Sequence, residues 1–322
     1  MTAFPPPRRI DLATGIALSV HEAGQGPAVV LCHGFPELAW SWRHQLPALA
    51  DASWRAIAPD MRGYGDSDRP EAVEAYDMTH IAADLVALLD ALDLEKAVFA
   101  GHDWGGFVAW AMPVLHPERT AGVIGINTPY VPFPRTDVMR MLTGGDDDKL
   151  YILWFQEPGV ADPVLHRDTR LLFEKLMIAG IDPVQVASRM AEEGFDMNPF
   201  RRLGELESLG EPILPPDELQ VFIDTFERTG FTGGINWYRN IDRNNEAHPG
   251  VGTQRLELPC LMVTAEWDPA LNPMLAANMP NLCGDLEMKM IEKCGHWTQQ
   301  ERPDELNAIL LDWLGRRRGD LS

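Results

Sequence analysis

A chain of 322 residues with 45% hydrophobic and 23% charged side chains can bury a sizeable core, and its balance excludes a disordered or fibrous protein. A formal charge of −21 excludes nucleic acid and anionic membrane surfaces as natural partners, because like charges repel. No apolar run reaches the ~18 residues that a bilayer crossing needs, so no membrane partner is expected either.

The first residues carry Pro5-Pro6-Pro7 ahead of Arg8-Arg9 with no apolar segment behind the charges, so no signal peptide is read and a cytoplasmic location is expected. Residues 28–32 are apolar at every position, the pattern of a strand buried on both faces, as in a parallel sheet wrapped by helices. Similar runs recur at 56–58, 97–100, 122–126, 260–264 and 286–291. Between them, 78–92 carries Ile81, Leu85, Leu88, Leu89 and Leu92 at helical spacing, and Leu306, Ile309, Leu310, Trp313 and Leu314 predict a terminal helix. Arg316-Arg317-Arg318 closes that helix, where cations complement the macrodipole.

One interval breaks the alternation. Residues 129–252 show helical patterns, such as 168–179, among many Pro, Gly and acidic residues. The expectation is an α/β fold whose mostly parallel sheet is flanked by helices, with core segments 1–128 and 253–322 and a helical cap, 129–252, inserted between two strands. The four cysteines, Cys32, Cys260, Cys283 and Cys294, have no metal spacing, and Cys32 and Cys260 sit in apolar runs as small hydrophobes.

The run at 97–100 leads into Gly101-His102-Asp103-Trp104-Gly105-Gly106, and a helical segment follows it. Small residues two before and two after the central position mark a nucleophile elbow, a strand-to-helix turn too sharp for side chains at its flanks. Pro113 falls inside the following helix, where a kink or break is predicted at a cost of ~3 kcal/mol. Serine usually occupies the elbow's tip; here it is Asp103. A serine attacking saturated carbon would form an ether that no base could hydrolyse. A carboxylate forms an ester, which water opens at the carbonyl. Asp103 therefore points to an sp3 electrophile such as an epoxide or alkyl halide, and a carboxylate titrating near ~3.9 is ionised without help. The plain alternative is a solvated aspartate in a Gly-rich turn.

Turnover of such an ester needs a base, an acid that orients it, and donors for the oxyanion. In an elbow architecture the chain order is nucleophile, acid, histidine. Asp268 lies beyond the carboxyl end of the strand at 260–264, and His296 beyond the strand at 286–291, so all three share one edge of the sheet. Glu266 is the alternative orienting acid. After the strand at 28–32, His33-Gly34-Phe35-Pro36 allows the Phe35 amide to join the Trp104 amide in an oxyanion hole.

These residues resemble the epoxide hydrolases of the α/β-hydrolase fold over most of the chain. His33-Gly34-Phe35-Pro36-Glu37 resembles the family's oxyanion motif, Asp60 to Ser67 a structural loop of its relatives, and 101–106 its nucleophile motif. Within the cap, Tyr151-Ile152-Leu153-Trp154-Phe155-Gln156-Glu157-Pro158-Gly159 and Asn236-Trp237-Tyr238-Arg239-Asn240 are similar to two family motifs whose tyrosines act as acids. The resemblance implies that Tyr151 and Tyr238 hold and protonate the epoxide oxygen and that Phe35-Pro36 is a cis bond. It implies a small apolar epoxide and water as the reactants and a vicinal diol as the product. No cofactor and no metal are expected, and the assembly is expected to be a monomer or homodimer. A phenol near ~10 stays protonated at neutral pH, so the chemistry agrees. The nearest rival is a haloalkane or haloacid dehalogenase with the same triad, which often has Asn at the place of Phe35; Trp104-Gly105-Gly106 stands where fluoroacetate dehalogenases carry Arg. A non-catalytic binder is the rival from another class. Trp154 and Phe155, with Met139, Met141 and Met177, are expected to line an apolar pocket, or else to form cap core.

Overall fold

Eight strands make one sheet in the computed structural model, which describes residues 3–193, 196–205 and 210–321. They are β1 (Arg8–Asp11), β2 (Ala17–Ala23), β3 (Ala28–Cys32), β4 (Arg55–Pro59), β5 (Ala97–His102), β6 (Thr120–Ile126), β7 (Leu256–Ala265) and β8 (Cys283–Ile291). The spatial order is β1-β2-β4-β3-β5-β6-β7-β8. From β4 to β8 every pairing is parallel, and β1 and β2 add an antiparallel edge. All six predicted strands are present. The antiparallel pair is a departure from the sequence reading, and its cause is visible: only Ile10 of β1 is buried, so this edge lacks the continuous apolar run of the inner strands.

The inner strands are apolar throughout because each face of the sheet has its own core. Val30 and Phe99 belong to one packed cluster, Val29, Leu31 and Trp313 to the other, as the two-residue alternation requires. Helix Met78–Ala91 covers one face, begun by Asp77, whose side chain accepts the His80 amide at 3.0 Å. Helix Pro303–Arg316 covers the other. The arginines that follow its end find specific partners: Arg317 pairs with Asp285 on β8, and Arg318 lies over the Trp54 ring at 4.8 Å.

Helix Trp104–Leu115 runs through Pro113 and stops two residues later, so no break falls at the proline itself. With the helix ending there, the missing hydrogen bond of Pro113 costs only part of one terminal turn. Between β6 and β7 the described residues contribute helices but no strand of the sheet, among them Tyr151–Trp154, Thr169–Leu176, Pro216–Thr229 and Thr232–Arg239. The stretch predicted as helix over 168–179 is helical only for Thr169–Leu176. Side chains tie these helices to the sheet layer: Trp237 Nε1 donates to the Arg62 carbonyl at 3.1 Å, and Arg43 bonds both Glu218 and Gln300. All four cysteines are buried and unpaired, and no helix among the described residues is long and apolar enough to cross a membrane.

Candidate active site

Register places the site. Cys32 on β3 pairs with Gly101 on β5, His102 pairs with Ile126 on β6, and Ala265 on β7 pairs with Ile291 on β8. The loops leaving these five strand ends therefore open on one edge of the sheet. Asp103 sits there at φ 51°, ψ −122°, a conformation that non-glycine residues rarely adopt and that turns strand directly into helix. Its flanks must be bare: a Cβ on Gly101 would stand 1.9 Å from the Gly105 carbonyl oxygen, and one on Gly105 would stand 2.0 Å from that of Cys32.

Asp103 Oδ1 accepts the Phe35 amide at 2.8 Å, and the neighbouring Trp104 amide also favours the charged carboxylate. The Phe35-Pro36 bond is cis. Burial pushes the Asp103 pKa above the ordinary carboxylate value, against the pull of His296, His102 and the two amides. His296 Nε2 lies 4.0 Å from Asp103 Oδ2, and its Nδ1 is 2.9 Å from Asp268 Oδ2. Asp268 is held from every side: Oδ1 accepts the Ala270 and Leu271 amides at 2.8 and 2.9 Å, and Oδ2 accepts Asn127 Nδ2 at 2.6 Å. Burial opposes its charge, yet His296 and these donors keep its pKa well below the usual carboxylate range. For His296, burial would lower the pKa, but Asp268, Asp103 and Glu37 outweigh it and raise it to about 9. Glu266, the alternative acid, instead accepts the Lys293 amide at 2.8 Å.

Tyr151 and Tyr238 stand over the carboxylate with ring centroids 5.8 Å apart. Burial, reinforced by Asp103, raises both phenols above their ordinary value, so both stay protonated. The Trp104 ring packs edge-to-face against that of Tyr238, with centroids 5.0 Å apart.

A cavity of about 440 Å³ adjoins Asp103, Tyr151, Tyr238 and His296. Its apolar wall comes from Phe35, Leu176, Ile178, Phe200 and Trp297. Trp154 and Phe155 do not line it, which corrects the expectation for both. Phe155 is fully buried behind the tyrosines, 5.6 Å from the Tyr151 ring and 5.1 Å from that of Tyr238. Trp154 packs into the same core, Met177 is buried there, and Met141 is exposed on a neighbouring helix; neither these nor Met139 reaches the cavity.

Several residues of the site carried no assigned role in the sequence. His102, just before Asp103, sets one ring nitrogen 2.8 Å from Glu37 Oε2 and the other 2.7 Å from the His296 carbonyl oxygen. Glu37 also accepts the Gly34 amide at 3.2 Å, so this buried pair links the oxyanion turn to the histidine loop. Burial would raise the Glu37 pKa, but His102 and His33 outweigh it and lower it to about 2. Both residues lie inside motifs already legible. Asn127 and Thr298 do not; the available signal for Asn127 was its place immediately after a predicted strand.

Residues 27–164 match the family model described as the alpha/beta hydrolase fold. The chain is 43% identical to Epoxide hydrolase A of Mycobacterium tuberculosis (strain ATCC 25618 / H37Rv), over 96% of this chain and 97% of that protein. It is 40% identical to Bifunctional epoxide hydrolase 2 of Sus scrofa over 93% of its own length, spanning about half (53%) of that longer protein. Among solved structures, Epoxide Hydrolase A from Mycobacterium thermoresistibile is 43% identical with a TM-score of 0.87, covering 97% of this chain and 98% of that one. An epoxide hydrolase from an endophytic Streptomyces is 36% identical with a TM-score of 0.86, covering 97% and 96%.

Proposed function

The chain belongs to the epoxide hydrolases of the α/β-hydrolase fold, and from that premise we propose that it opens a small apolar epoxide to a vicinal diol through an ester on Asp103. One observation carries this reading: a buried carboxylate with Oδ1 bound by a backbone amide, Oδ2 facing His296, and two protonated phenols over it. With Oδ1 engaged, Oδ2 is the nucleophile. It attacks an epoxide carbon while Tyr151 and Tyr238 bond the ring oxygen. As the carbon–oxygen bond breaks, a phenol proton passes to the alkoxide, which becomes the first hydroxyl of the product.

Esterification removes the Asp103 charge. That charge is among those that raise His296, so the imidazolium becomes more acidic once the ester has formed. It gives its proton back to the phenolate, and the neutral ring then takes a proton from water. The gap of 4.0 Å between Nε2 and Oδ2 is too long for a hydrogen bond and suits a base that acts through one water. The hydroxide formed attacks the ester carbonyl, Oδ1 takes the charge among the Phe35 and Trp104 amides, and collapse expels an alkoxide that takes the proton of the re-formed Asp103 carboxyl group, so that the diol leaves and the carboxylate is restored. Asp268 stays ionised and orients the ring throughout. Four buried, unpaired cysteines support a reducing, cytoplasmic setting.

A single turnover in heavy-oxygen water, with protein in excess over epoxide, tests this cycle. The label is expected in the Asp103 carboxyl group, since the diol takes its second oxygen from the aspartate. Label found directly in the diol would mean that water attacked the epoxide, and the reading would be wrong.

A further inference from the structure

We propose that Asn127 is a positioning residue for the base: it joins the loop of Asp268 to the loop of His296, so that its loss slows ester hydrolysis and leaves epoxide opening untouched. This rests on the ester cycle above. Asn127 is the first residue beyond β6, buried, with φ at 60°, a left-handed conformation that asparagine tolerates better than most residues. Its own amide donates to the Val263 carbonyl on β7 at 2.8 Å. Side-chain Nδ2 donates to Asp268 Oδ2 at 2.6 Å, to the His296 carbonyl at 3.0 Å and to the Gly295 carbonyl at 3.3 Å. Oδ1 accepts the Thr298 hydroxyl at 2.7 Å.

Only one orientation of this amide works. Turned over, Oδ1 would face three oxygen acceptors, and the costs of such mismatches in a buried site are large. Thr298 holds the productive orientation. Asp268 Oδ2, the atom that Asn127 grips, is also the one that meets His296 Nδ1 at 2.9 Å. Asn127 therefore fixes how the acid presents itself to the imidazole and where the backbone of the histidine stands. The charged groups around His296 are Asp268, Asp103 and Glu37, and Asn127 bonds only the first. Asn127 does not line the cavity, so the opening step proceeds without it.

Asn127→Gly keeps the backbone conformation accessible and deletes the side chain. We expect kcat to fall about tenfold or more, since a hydrogen bond to a charged group is lost. KM should fall with it, leaving kcat/KM within about twofold, because only the step after esterification is slowed. Rapid quench and mass spectrometry should find the Asp103 ester accumulating. The acid limb of kcat should move to higher pH, because Asp268 with one donor fewer binds the imidazolium proton more tightly. Thr298→Val, which leaves Asn127 in place but frees its amide to turn, should give the same pattern with smaller amplitude, and Thr298→Ser should restore the original values. An unchanged kcat in both variants, or a fall in kcat/KM with no ester accumulating, overturns the assignment. His296→Gln separates the two levels. Ester present there but absent in the Asn127 and Thr298 variants removes only the role of Asn127, whereas ester absent in all three removes the cycle beneath it.

Discussion

Asp103 divides its work between two oxygens: one rests on the Phe35 amide, the other faces the cavity and the base. Replacing it by Asn should abolish diol formation while the fold survives, because the amide is nearly isosteric but a far poorer nucleophile. His296→Gln should leave opening intact and trap the ester, detected as a mass increase equal to that of the epoxide. For the phenols, Tyr238→Phe should lower kcat/KM about tenfold or more, the usual scale of general-acid assistance, with Tyr151 supplying the remaining hydrogen bond. The imidazole also leaves a mark on stability. Its pKa rises from 6.5 to about 9 on folding, so its contribution is complete below about pH 6.5 and is lost as pH rises through 9. Melting temperatures between those limits should therefore fall less steeply in His296→Gln than in the parent protein.

At the scale of elements, the elbow decides whether Asp103 can occupy its strained backbone conformation. Gly105→Ala would press a methyl group into the Cys32 carbonyl on the neighbouring strand, and backbone of the inner sheet cannot give way cheaply. A destabilisation of at least about 3 kcal/mol is expected in denaturant titration. The same packing brings Phe35, Asp103, Asn127, Asp268 and His296 together from five separate loops: the register of β3, β5, β6, β7 and β8 aligns their ends before any side chain is considered. The segment after β8 adds a second function. Trp297 Nε1 donates to the Leu176 carbonyl, and Glu301 accepts the amides of both Gly180 and Gly295. The wall of the cavity is thus anchored to the loop that carries His296.

For the molecule as a whole, the charge of −21 is a property of the surface rather than of the chemistry. A neutral epoxide feels no steering from it, so kcat/KM should change less than about twofold between low and high salt, where charged partners would respond strongly. The helices between β6 and β7 complete the site by supplying both tyrosines, and the buried aromatic cluster of Phe35, Phe155 and Tyr238 ties them to the oxyanion turn.

The amino-acid order alone determined most of this architecture, because its strongest signals are local. Continuous apolar runs marked the inner strands of the sheet, and the glycines around Asp103 marked a turn that excludes side chains. The identity of the tip residue determined the class of electrophile. Strands β1 and β2 escaped notice because Ile10 is the one buried residue of β1 and the apolar run of β2 is interrupted by Ser19 and His21. Tertiary structure alone decided which side chains between β6 and β7 reach the cavity: Phe155 is hidden behind the tyrosines and Trp154 is buried beside it, while Leu176, residues 178–181 and Phe200 form the wall. It also decided the partners of Asn127, His102 and Glu37. Those contacts join residues as much as 263 positions apart, and only the packed sheet brings such distant polar atoms within hydrogen-bonding range.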